Sequence, residues 1–129
     1  MKFLIYLDVC CLNRFLDDQT QERIRLESEA VLLILARCQS CEWQLLESEA
    51  IEEELERTPD VARKQQIMLW ISSAITKVRA TQQVKSRAVK LAEQGFKAYD
   101  AFHIACAEAG NADILLTTDR SDVTLGCKA

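Results

Sequence analysis

Ala98-Tyr99-Asp100-Ala101-Phe102-His103-Ile104-Ala105-Cys106-Ala107-Glu108-Ala109-Gly110-Asn111-Ala112-Asp113-Ile114-Leu115-Leu116-Thr117-Thr118-Asp119 is the stretch whose reading decides the fold. Its first twelve residues, Ala98 to Ala109, read as a helix that is apolar nearly all round, the pattern of a helix buried on most of its circumference. Gly110-Asn111 closes it, as glycine and asparagine do at helix ends. Ile114 to Thr118 is then a short apolar run that reads as a strand, ending at Asp119.

The rest of the chain repeats this alternation. Lys2 to Leu7 reads as a first strand that ends near Asp8, and Ile24 to Arg37 as a helix with Ile24, Val31, Leu32 and Leu35 on one face. Glu42 to Leu46 is a weak second strand. Ser48 to Arg57 is a helix capped by Ser48 and stopped by Thr58-Pro59, and Val61 to Ala74 is another helix. A short β-like segment, Ile75 to Arg79, precedes a helix from Gln82 to Gln94 that Gly95 terminates. Strands alternating with helices imply one α/β domain over 1–129, a short, mainly parallel sheet of four or five strands flanked by helices. No glycine-rich loop follows any strand, so the dinucleotide-binding and P-loop readings fail.

Composition narrows the function. The 129 residues are 49% hydrophobic and 28% charged, an ordinary globular balance. No apolar run reaches the 18 or more residues of a membrane span, and Asp8 cuts short the signal-like start, so the expectation is a cytoplasmic chain. Its six cysteines are then expected as free, mostly buried thiols. The net charge of −4 argues against a generally basic nucleic-acid binder, but the charges are unevenly spread. Residues 75–97 hold Lys77, Arg79, Lys85, Arg87, Lys90 and Lys97 against Glu93, a local balance of +5, with Arg63 and Lys64 upstream. Such a flank can be a solvated helix face or a contact for backbone phosphates.

Four acids stand apart. Asp8 and Asp119 close the first and last strands, at the edge where open parallel sheets bind ligands; either one alone also suits a turn or a helix cap. Asp100 opens the apolar helix and points towards a crowded interior, where an unpaired charge is costly. Residues 47–56 contain six glutamates. Most form a solvated face, but Glu54 falls about 40° from the centre of the apolar face set by Ala50, Ile51 and Leu55. Carboxylates about 4 Å apart repel by roughly 1–4 kcal/mol, which a divalent cation offsets. Hard oxygen ligands suit Mg²⁺ or Mn²⁺, which can activate water against a phosphodiester.

At these residues the sequence resembles the PIN-domain family, including its VapC-type ribonuclease toxins. The resemblance rests on Tyr6-Leu7-Asp8-Val9-Cys10-Cys11-Leu12-Asn13, Ser48-Glu49-Ala50-Ile51-Glu52-Glu53-Glu54-Leu55, Tyr99-Asp100-Ala101-Phe102-His103-Ile104-Ala105 and Leu115-Leu116-Thr117-Thr118-Asp119, in that order. It implies a PIN-like three-layer fold in which Asp8, Glu54, Asp100 and Asp119 hold one or two Mg²⁺ or Mn²⁺ ions and cleave single-stranded RNA by metal-activated water. It also implies Thr117 as the hydroxyl that orients the acids, Asn13 and Ser48 as polar support, and Asp122 as either an auxiliary acid or a loop residue. An antitoxin protein and a homodimer are the partners it implies; no membrane is expected. Ten residues follow Asp119, so Val123-Thr124-Leu125 is a stub of the family's further strand, or that edge strand is absent.

Other features read more plainly. His103, the sole histidine, lies three residues after Asp100 and reads either as a packed helix residue, because a metal mechanism needs none, or as a donor to a substrate or a carboxylate. Cys38-Gln39-Ser40-Cys41 has zinc spacing but lacks a second ligand pair. Trp43 and Trp70 are expected in the core or at an interface. Two other classes compete with the nuclease: an inactive or truncated PIN-like module that binds RNA or protein, and a phosphoacceptor domain. The latter lacks a paired acid beside Asp8 and a lysine after the last strand.

Overall fold

Four consecutive apolar residues, Leu4–Leu7, form strand β1 of the computed structural model, which describes residues 2–72, 74 and 76–117. Ile5, Tyr6 and Leu7 are each at most 2% exposed, so both faces of β1 are covered, as a central parallel strand requires. Helix α1 (Val9–Asn13) follows at once, then a 3₁₀ turn (Arg14–Leu16) and helix α2 (Glu22–Gln39). The chain continues through β2 (Gln44–Ser48), α3 (Glu49–Glu56), α4 (Val61–Ile71), β3 (Thr76–Val78), α5 (Gln82–Glu93), α6 (Ala98–Ala109) and β4 (Ile114–Leu116).

The strand order is β3-β2-β1-β4, and every pairing is parallel. From β1 the chain steps outward to β2 and β3, then crosses to the other side of β1 for β4. Strand order therefore reverses beside β1, and the crevice past the carboxyl ends of β1 and β4 is the place where such sheets bind ligands. Asp8 follows β1 there, and its N–H donates to the carbonyl of Leu116 in β4, at 3.3 Å. The expected α/β architecture is thus present, with four strands among the described residues.

Differences from the expected element limits have local causes. β2 begins at Gln44, two residues later than expected, because Glu42 and Trp43 are spent on the turn after α2. Both of their N–H groups donate to the Arg37 carbonyl, and Cys41 adopts a φ of 65°. β2 then runs on to Ser48, which doubles as the cap of α3. Helix α4 stops at Ile71, where the Ser72 hydroxyl and N–H both bond the Leu69 carbonyl. Helix α1 has no periodic signature because five residues are too few to show one. The limits of α6 coincide with those expected.

Helix α6 packs on α5, α3 and the β2–β3 side of the sheet. Gly110 at its end permits the close approach. A methyl group there would lie 2.5 Å from Leu46 Cδ2 and 2.7 Å from Val78 Cγ2. Gly110→Ala is therefore expected to lower stability by about 1–3 kcal/mol through overpacking. Urea unfolding checks this, and an unchanged midpoint would mean that Leu46 and Val78 move aside.

Candidate active site

The site is assembled from the ends of β1 and β2 and from two helices. Asp8 is 5% exposed and has extended backbone, and its Oδ1 accepts the N–H of Cys11 at 3.0 Å, capping α1. The cap reading and the site reading thus meet in one side chain. The Thr117 hydroxyl also bonds the Asp8 carboxylate. Burial pushes the Asp8 carboxyl pKa up, against the opposing pull of those two hydrogen bonds and of His103.

Ser48 is fully buried at the β2–α3 junction, and its Oγ accepts the N–H of Ile51 at 3.3 Å. An N-cap of this kind contributes about 1 kcal/mol. Ser48 Oγ also lies 2.6 Å from the Tyr6 hydroxyl, which lies 2.5 Å from His103 Nδ1. The other imidazole nitrogen, Nε2, is 3.4 Å from Glu54 Oε1. Burial raises the Tyr6 pKa well above that of an ordinary phenol, with Asp8 and Glu54 adding to the effect, so the hydroxyl keeps its proton. Tyr6 feels both acids, and Asp8 in turn feels His103.

Asp100 lies in the first turn of α6, three residues before His103. Among the described residues its Oδ2 is buried without a hydrogen-bond partner, as is the Tyr99 hydroxyl. Such an orphaned carboxylate oxygen is costly unless a cation or donor meets it. Asp119 and Asp122 fall outside the described residues. Among the described residues no three Asp, Glu, His or Cys side chains gather closely enough to hold an ion. The donors that are present nonetheless suit a hard cation. They are carboxylates, one with a stranded oxygen and another whose charge is penalised by burial.

Asn13 ends α1, and its Oδ1 accepts from Arg63 Nη1 at 3.2 Å. Arg63 also bonds Asp17 and the Leu16 carbonyl, pinning the 3₁₀ turn to α4. The basic flank is similarly divided. Lys77 pairs with Glu52, Arg79 with Glu49 and Arg87 with Glu108. Exposed Lys85, Lys90 and Lys97 form no ion pair among the described residues and remain available to phosphates. The acidic face of α3 is thus largely matched by its own neighbours.

His103 is packed, as expected for a buried helix residue, but both its ring nitrogens face named partners. Tyr6 carried no functional expectation. A tyrosine in a fully buried strand must still find a partner for its hydroxyl, and the sole histidine sits one turn after a candidate acid. Those were the available signals. Cys10, Cys11, Cys38, Cys41 and Cys106 form no disulfide among the described residues, Cys127 lies outside them, and Trp43 and Trp70 are half-buried against the core.

Comparison with known proteins adds one finding. A family model for the PIN domain matches residues 5–121. A search of curated proteins yields no significant match.

Proposed function

Because the chain belongs to the PIN-domain family, a family of nucleases, we propose that it is a metal-dependent endoribonuclease cutting single-stranded RNA. The observation that carries this reading is the buried Oδ2 of Asp100 in the first turn of α6, which has no partner among the described residues. Asp8 lies at the strand-order reversal, with Glu54 in the same neighbourhood.

In this reading Asp8, Glu54, Asp100 and Asp119 hold Mg²⁺ or Mn²⁺. When bound, the cation supplies the positive charge that makes water nucleophilic and stabilises the leaving oxygen. Asp8 is held in place by the Cys11 N–H and the Thr117 hydroxyl, so its carboxylate presents a fixed geometry. The exposed Lys85, Lys90 and Lys97 are the candidates to contact backbone phosphates. Asp122 serves as an auxiliary acid or belongs to the loop. Asn13 steadies the first turn after Asp8 through Arg63.

The finer part of the proposal is that the enzyme is the toxin of a type II toxin–antitoxin pair, for which the support is the order and content of the four motifs. Exposed Leu26, Leu32 and Leu33 on α2, with Val61, Met68 and Leu69 on α4, offer apolar area to an antitoxin or a second copy. No described helix is long and apolar enough to cross a membrane.

The deciding experiment offers unstructured and structured RNA to the purified protein with Mn²⁺, Mg²⁺ or EDTA. Cleavage of the unstructured RNA only with metal is expected. RNA binding with no turnover under any divalent cation would instead identify an inactive binding module. A small neighbouring reading frame whose product relieves growth arrest would support the toxin role.

A further inference from the structure

Tyr6, Ser48, Glu54 and His103 come from β1, the β2–α3 junction, α3 and α6, yet form one continuous chain of contacts. We infer that this chain is a positioning relay. Ser48 and Tyr6 fix the tautomer of His103, and His103 holds Glu54 Oε1, leaving Oε2 for the cation. The inference rests on the nuclease reading of Glu54.

Proton accounting selects the tautomer. The Tyr6 hydroxyl has one proton and two polar neighbours. In one arrangement Ser48 donates to Tyr6, Tyr6 donates to His103 Nδ1, and the Nε2–H faces the Glu54 carboxylate. Every proton then has an acceptor, and Ser48 Oγ still accepts the Ile51 N–H. In the other arrangement His103 Nδ1–H donates to Tyr6 and Tyr6 donates to Ser48. A bare Nε2 lone pair then confronts a carboxylate oxygen at 3.4 Å, which is repulsive.

The surroundings favour a fixed ring. His103 is only 4% exposed, so water does not compete for its nitrogens. Its ring meets Tyr6 edge-on, with centroids 5.6 Å apart and planes at 66°. Glu54 is half-buried, and among the described residues no hydrogen bond reaches its Oε2. A flexible glutamate with one oxygen tied down presents the other in a restricted arc. This is how groups behind a ligand tune a metal site, and their removal costs about 10–100-fold in metal affinity or activity.

The test uses the full chain and two readouts. Because the protein has one histidine, ¹⁵N–¹H correlation of the metal-free, ¹⁵N-labelled protein at mildly alkaline pH reports that ring alone. The wild type is expected to show the Nε2–H tautomer, and Tyr6→Phe a mixture of both. An Nδ1–H or doubly protonated ring in the wild type would overturn the relay. The second readout is the affinity for Mn²⁺ alone, together with the kcat and KM for RNA. His103→Leu is expected to weaken Mn²⁺ binding at least about tenfold and lower kcat with KM unchanged. His103→Gln, which retains a donor near the Nε2 position, should recover most of both. Equal losses in the Leu and Gln variants, or none in either, would refute the relay. If the wild type binds no Mn²⁺ and cuts no RNA, the nuclease reading fails by itself, and the tautomer pattern still decides whether the relay exists.

Discussion

Asp100→Asn is expected to reduce metal-dependent RNA cleavage by on the order of 10²–10³-fold or more while leaving the protein folded. The size follows from what one preorganised charge is worth in a water-excluded site. Asp100 Oδ2 is buried and meets no donor among the described residues, so in the metal-free protein no hydrogen bond of that oxygen is lost on substitution. Replacing it with an amide removes a cation ligand at little cost to the fold. Its position in the first turn of α6 does place a negative charge near a helix N-terminus, worth only a few tenths of a kcal/mol. Cleavage assays with matched thermal melts check both halves. Cleavage that persists in Asp100→Asn and in Asp8→Asn would point to a contaminating nuclease and remove the assignment.

Asp8→Asn is expected to make the metal-free protein more stable at neutral pH while abolishing cleavage. Burial raises the Asp8 pKa above its ordinary 3.8 in the folded state. Between the unfolded and folded values, the native protein holds a proton that the unfolded chain has released. Stability therefore falls as pH rises through that window, and at neutral pH the fold carries the full penalty of the buried carboxylate. Asparagine avoids that penalty and keeps an oxygen for the Cys11 N–H. The difference in melting temperature should be largest near neutrality and vanish below the ordinary value, in EDTA throughout. Added Mn²⁺ should raise the wild-type melting temperature and leave that of Asp8→Asn nearly unchanged, because only a cation bound to the folded state adds stability. A wild type more stable than Asp8→Asn at neutral pH in EDTA would contradict the sign of the burial effect.

Both variants treat function and stability as opposed at the same carboxylates. Thr117 and Cys11 only partly compensate Asp8, and the Oδ2 of Asp100 has no hydrogen-bond partner among the described residues. A chain selected for stability alone would place amides or apolar residues there. A buried acid, Asp8, at the strand-order reversal is what the proposed cation-dependent chemistry would require.

Local pattern was enough for much of this. Helix α6 and its stop at Gly110 follow from composition and one glycine, and the caps at Ser48 and Asp8 from residue type. Glu54 could be separated from Glu49, Glu52, Glu53 and Glu56 because helical spacing turns it towards the apolar face, and from Glu47 because that residue precedes the Ser48 cap. The other glutamates of α3, in contrast, looked like a free acidic surface, whereas Glu49 and Glu52 are matched by Arg79, just after β3, and by Lys77 within it. That pairing depends on the parallel register of β2 and β3, which no local pattern encodes.

The amino-acid sequence by itself therefore determined the alternation of strands and helices, the candidate acids and the family they belong to, because these depend on periodicity and on residue identity at short range. Tertiary structure alone brings Tyr6 and His103 into contact with Ser48 and Glu54. Their contacts join residues 42, 97 and 49 positions apart, and only the parallel crossover that lays α3 and α6 beside the end of β1 brings their hydrogen-bonding groups within reach.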